Sequence, residues 1–261
     1  MARTASASGW RAGLLVVVAL AAVAVTAALP PIHQDAAYHA FADRRTVLGV
    51  PSGLNVLSNL GFLVAGVWAL ARVARASLPA WERVAGVVFA LGLVLTAVGS
   101  AWYHRAPANA SLVWDRVPLS ALFPTVLAVV IGDRVSVAAG RALLAPLALG
   151  AIASVAWWRA TDDLRPYGLA QFLPMLMIPL MLGLLPGRRP VVPLVAGIAL
   201  YAVAKLAELA DAVIFAGGGV VSGHTLKHVL AAGAAALIAR WLAPLPDRPR
   251  EPRRAATASA G

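Results

Sequence analysis

Three short polar segments interrupt an otherwise apolar chain, and each sits at the end of an apolar run. Gly99-Ser100-Ala101-Trp102-Tyr103-His104 closes one run, Trp114-Asp115-Arg116-Val117-Pro118 opens the next, and Ser222-Gly223-His224-Thr225-Leu226-Lys227-His228 opens the last. His224 and His228 are four residues apart, as are Ser100 and His104, so in a helix each pair shares a face. An i, i+4 histidine pair presents two nitrogens to one metal ion. A third imidazole from another helix, His104, would complete a site with a position left for water. Zinc suits imidazole and pulls the pKa of a bound water toward neutrality. Asp115 would then accept a proton as general base, and Ser100 would hydrogen-bond the water or the developing oxyanion. The plainer alternatives stand beside this. Asp115-Arg116 also reads as a helix start with its carboxylate at the positive dipole end. A lone histidine at a helix end is ordinarily interfacial, which is the reading of His33 and His39.

The elements that must position these groups are membrane-length helices. The chain has 261 residues, of which 61% are hydrophobic, and a mean hydropathy of +0.80. That composition excludes a soluble domain and indicates an all-α, polytopic membrane protein. It contains no cysteine, which rules out disulfides, thiolate metal sites and a cysteine nucleophile. Ionisable groups at the edge of hydrocarbon are costly and are usually retained for function.

Apolar runs cover 11–29, 54–74, 82–104, 115–132, 141–158, 168–185, 191–213 and 223–242. These divide the chain into an N-terminal transmembrane or signal-like helix (1–29), an outer loop (30–53), a seven-helix core (54–242) and a basic, disordered tail (243–261). The net charge of +11 comes from arginines in the short gaps between runs, so topology explains it and nucleic-acid binding is not expected. With the N-terminus inside, the inner segments hold Arg3, Arg11, Arg72, Arg75, Arg83, Arg134, Arg141, Arg188, Arg189, Arg240, Arg248, Arg250, Arg253 and Arg254. The outer segments hold only Arg44, Arg45, Arg105, Arg116, Arg159 and Arg165. The positive-inside rule thus puts both termini in the cytoplasm of a bacterial-type membrane. It also puts Ser100, His104, Asp115, His224 and His228 together near the outer face.

Other polar groups read as structural. Lys205 and Glu208 are spaced to pair on the seventh run, and Asp211 would reach Lys227 or the metal region. Asn55, Ser58 and Asn59 form a polar face suited to helix-to-helix hydrogen bonds. Pro174 and Pro179, near Met175, Met177 and Met181, suggest a kinked, pliable segment that either opens a lipid-sized cavity or fills the core.

At these residues the chain resembles the alkaline ceramidase family, within the membrane-hydrolase superfamily that includes the adiponectin receptors. The resemblance lies in Ser100-x-x-Tyr103-His104, Asp115-Arg116-x-Pro118 and His224-x-x-x-His228, with Leu54-Asn55-Val56-Leu57-Ser58-Asn59-Leu60 similar to the first core helix. It implies a seven-helix fold with zinc on His104, His224 and His228, with Ser100 and Asp115 around the zinc-bound water. It also implies hydrolysis of the ceramide amide to a fatty acid and a sphingoid base, the lipid coming from the bilayer. The segment from Ile32 to Arg45 is poorer in carboxylates than the calcium site of the animal members, which argues against calcium. A different N-acyl or O-acyl lipid is the alternative substrate. A non-catalytic receptor or sensor with structural zinc is the alternative function. A transporter is disfavoured because the inner halves of the helices carry few ionisable residues beyond Lys205 and Glu208.

Overall fold

The computed structural model describes residues 2–245, with side chains from Gly9 onward. Its described residues form helices α1 (Ala2–Ala28), α2 (Gly53–Leu57), α3 (Leu60–Arg75), α4 (Ala80–Arg105), α5 (Asn109–Arg134), α6 (Val137–Thr161), α7 (Arg165–Leu184), α8 (Val192–Leu209), α9 (Asp211–Gly218) and α10 (Gly223–Leu242). Seven segments are long and apolar enough to cross a membrane: Gly9–Ala28, Gly53–Arg75 (α2 with α3), α4, α5, α6, α7 and α8. The helix α10 is as long as α7 but more polar, since it carries His224, Thr225, Lys227, His228 and Arg240. It is an inner helix of the bundle, packed on α3, α4 and α8, so His224, Thr225, Lys227 and His228 face protein rather than lipid, while Arg240 at its far end is exposed. The expected basic tail lies mostly outside the described residues. Ala243, placed at its start by the sequence, is instead buried against Val73 and Ala76.

The second apolar run is not one continuous helix. It breaks at Ser58 and Asn59 because their side chains compete for backbone partners. The Ser58 hydroxyl and the Asn59 amide both donate to the Asn55 carbonyl, at 3.1 and 2.8 Å. The seventh run likewise divides at Ala210, where α8 ends and the short α9 begins. The fourth run starts earlier than its apolar pattern suggests. With α5 beginning at Asn109, Asp115 lies nearly two turns inside the helix rather than at its tip. It is therefore not a helix cap.

The bundle is ordered around α4, α5 and α10. The helix α5 packs against α4, α6 and α7, while α10 packs against α3 and α8, and α1 leans on α7. There Arg11 Nη1 donates to the Leu184 carbonyl at 3.1 Å. The one extended connection, residues 30–52, folds back over the ends of the helices that carry the histidines. Leu164 N–H donates to the Ile32 carbonyl at 2.8 Å, and Arg45 donates to the Val220 carbonyl at 2.8 Å. Within this loop the Arg45 guanidinium, hydrogen-bonded to Asp43, holds the Asp43 carboxyl below its usual range.

Candidate metal centre

Two glycines bring the polar segments together. A Cβ at Gly99 would stand 2.0 Å from the Trp114 carbonyl oxygen, and one at Gly223 would stand 2.0 Å from the Ala207 carbonyl oxygen. No side chain fits at either place, so α4 touches α5 beside Ser100 and Asp115, and α10 touches α8 beside His224. Asp211, in the first turn of α9, fixes the second contact. Its Oδ1 accepts from the His224 backbone N–H at 2.7 Å, and its Oδ2 accepts from Ala42 N–H at 2.9 Å. One carboxylate thus ties the start of α10 to the overlying loop, which is how Asp211 reaches the metal region.

His104, His224 and His228 are all buried, and one ring nitrogen of each lies within 4.8 Å of the others. Their ring centroids are 4.7 Å (His104–His224), 4.9 Å (His104–His228) and 4.7 Å (His224–His228) apart, nearly an equilateral triangle. His104 Nε2 and His224 Nε2 face each other at 3.2 Å. Two imidazole nitrogens that close must share a proton or a cation. Ligands about 2.0–2.1 Å from a tetrahedral zinc stand roughly 3.4 Å apart, so the His104–His224 pair already stands near the separation such an ion needs, and the third nitrogen lies within reach.

An outer partner is hydrogen-bonded to one of the rings, and a carboxylate lies near a second. The Ser58 hydroxyl gives its proton to the Asn55 carbonyl and sits 2.8 Å from His228 Nδ1. In the tautomer with a proton on Nδ1 the hydroxyl accepts from that N–H, which leaves the His228 Nε2 lone pair for a metal. Glu208 Oε1 lies 4.0 Å from His224 Nδ1, and the same carboxylate is paired with both Lys205 and Lys227. His104 Nδ1 has no acceptor among the described residues. Its ring is fixed by packing, with Phe41 at 4.6 Å and Tyr103 at 4.9 Å between centroids. Ser58→Ala should weaken metal binding by roughly 10- to 100-fold, the usual cost of losing an outer partner. Competition with a chromophoric chelator would measure it, and unchanged affinity would show that the bond does not orient His228.

Ser100 and Asp115 stand on the inner side of the triad. Ser100 and Asp115 lie side by side, and both line a narrow cavity with His228 and Lys227. Among the described residues Asp115 forms no salt bridge. Its neighbour Arg116 is engaged elsewhere. It donates to Gln34 Oε1 at 2.7 Å and lies 4.2 Å from the Trp158 ring centre. From Ser100 and Asp115 the cavity runs inward between apolar walls that include Phe89, Leu122 and Ile238. A second cavity, lined by Met175, Pro179 and Ile198, shares its walls at Phe123, Val126, Tyr201 and Ile238. Met177 and Met181 fill the core instead, and the cavity beside Met175 and Pro179 holds only about 100 Å³, so core filling is the role this segment shows.

On the opposite side the triad is covered. Phe41 is buried, its ring 4.6 Å from His104 and 4.5 Å from His224. The centre is therefore covered by Phe41 on the side of the 30–52 loop and continuous with an apolar space in the bundle.

All five residues singled out in the sequence converge here. His33 and His39 do not. His33 is exposed and meets Asp162 at 3.1 Å, whereas His39 lies 2.9 Å from the Tyr103 hydroxyl and 2.9 Å from Asn109 Oδ1. The placing of Lys205 and Glu208 in the inner halves needs correction, because the Glu208 contact to His224 puts them at the histidine end. Three contributors were missed. Ser58 read as a helix-to-helix hydrogen-bonding residue but without His228 as its partner, Glu208 read as half of an ion pair, and Phe41 carried no signal. A search for polar residues at the depth of the histidines would have found the first two. No family model matches the chain, and no curated protein matches it.

Proposed function

We propose that the protein is a zinc-dependent intramembrane hydrolase that cleaves the amide of a ceramide-like N-acyl lipid, releasing a fatty acid and a sphingoid base. One observation carries the reading. Three buried histidines converge beside Asp115 and Ser100 at the head of an apolar cavity that lies inside a membrane bundle. The resemblance of these segments to the alkaline ceramidases supports the substrate class. Bound zinc would supply Lewis acidity, lowering the pKa of a water and polarising a carbonyl.

The chain's own residues supply the rest. The apolar walls receive an acyl chain and leave its carbonyl beside Ser100, whose hydroxyl donates to the developing oxyanion. Asp115 takes the proton from the attacking water and returns it to the leaving nitrogen as the C–N bond breaks. Phe41 keeps bulk water away from the histidines, which strengthens electrostatic interactions at the centre. The lipid comes from the bilayer, and both termini are cytoplasmic, as the arginine distribution favours.

The test is fatty-acid release by purified protein from ceramide and from an O-acyl lipid of the same chain length. Both would be measured with zinc and after chelation. Zinc-dependent release from ceramide is expected. Release only from the O-acyl lipid would retain the hydrolase and change its substrate. One bound zinc without any turnover would favour a receptor or sensor on the same scaffold.

A further inference from the structure

The end of the bundle opposite the histidines holds a second, unrelated arrangement. Arg240 lies 12 residues beyond His228 on α10, about 18 Å along a helix. A groove opens there over α10, because α3 and α8 each pack on α10 but not extensively on one another. Arg72 of α3 and Arg240 of α10 line it, with Trp68 and Trp241. Arg72 donates to the Ala243 carbonyl at 2.8 Å and lies 4.8 Å from the Trp68 ring centre. Arg240 is exposed and makes no hydrogen bond or salt bridge among the described residues. The third cation, Arg189, is already paired with Glu82. Among the described residues, no carboxylate lines the groove.

Two buried donors also lack acceptors among the described residues, Arg72 Nε and Trp241 Nε1. Such donors cost free energy unless a ligand or water satisfies them. Below the arginines the wall turns apolar along one face of α10, through Gly233, Ala236 and Leu237. Gly233 is seven residues from Arg240, about 10 Å deeper along the helix.

The geometry points to a binding site for one anionic phospholipid, its phosphate held by Arg72 and Arg240 and an acyl chain lying along the Gly233–Leu237 face. The cationic head of the groove selects an anion, and its apolar length selects a lipid rather than a free ion. Basic pockets between helices at a membrane surface hold anionic headgroups in this way, and tryptophans favour the same depth.

Native mass spectrometry of detergent-purified protein, given equal phosphatidylglycerol and phosphatidylcholine of matched chains, tests it. One phosphatidylglycerol per chain should be retained in preference. Arg240→Gln should weaken its retention about fivefold, and the Arg72→Gln/Arg240→Gln variant roughly 30-fold. Arg75→Gln, at the same membrane end but outside the groove, should change nothing. Arg240 is exposed and unbonded, so its substitution spares the fold. Equal retention of the two lipids, an Arg75→Gln effect as large as that of Arg240→Gln, or displacement of the lipid by about 10 mM inorganic phosphate would each overturn the site.

Discussion

Alanine at both His224 and His228 should abolish metal binding and, with it, hydrolysis. Wild-type protein should carry about one zinc per chain by elemental analysis, and the double variant none. Two of three converging nitrogens would be gone, and a lone imidazole does not hold a catalytic zinc. The loss should exceed the 10- to 100-fold that follows from removing an outer partner alone. The fold should survive. The substitutions delete two rings at the protein-facing start of α10, while Gly223, Asp211 and the Ser222 hydroxyl, which accepts from Thr225 N–H at 3.2 Å, still fix that helix end. Intact helical content would separate loss of metal from loss of structure. Wild-type protein that stays metal-free after zinc is supplied would remove the basis of the hydrolase reading.

The histidines were legible because two independent regularities agree on them. The i, i+4 spacing puts His224 with His228 and Ser100 with His104 on common faces. The arginine distribution, counted without reference to them, puts both faces at one membrane end. Element existence was legible for the same reason, since membrane-length apolar runs leave little choice but helices. The breaks at Ser58–Asn59 and Ala210 were not legible. The first arises from side chains bonding to local backbone, which hydropathy averages away, and at the second Asp211 bonds to the distant His224 and Ala42 N–H groups. Ser58 illustrates a wider limit. Its hydroxyl serves His228 only because α2 and α10 meet, a contact 170 residues apart in sequence. Phe41 is harder still. Its packing on two histidines is a property of an irregular loop, and loops leave no periodic trace.

Asp115→Asn should separate metal binding from turnover. Asparagine keeps the shape of aspartate and a partner for Ser100, but it cannot accept a proton at neutral pH. Asp115 is not one of the three converging ligands, so about one zinc per chain should remain. Removing a positioned general base costs typically 10²- to 10⁴-fold, and the loss should fall on kcat, because the apolar cavity proposed to hold the acyl chain is untouched. The aspartate is suited to this role by what it lacks. Asp43, Asp133 and Asp163 each sit in an ion pair with an arginine, which would hold them as spectators. Arg116, the cation nearest to Asp115 in sequence, is drawn away by Gln34 and the Trp158 ring. The carboxylate is therefore left to face Ser100 and the cavity. Wild-type turnover in Asp115→Asn would dismiss it as the base. Loss of zinc from that variant would make it a metal-holding residue instead, and the proton would have to be taken by another group lining the same cavity.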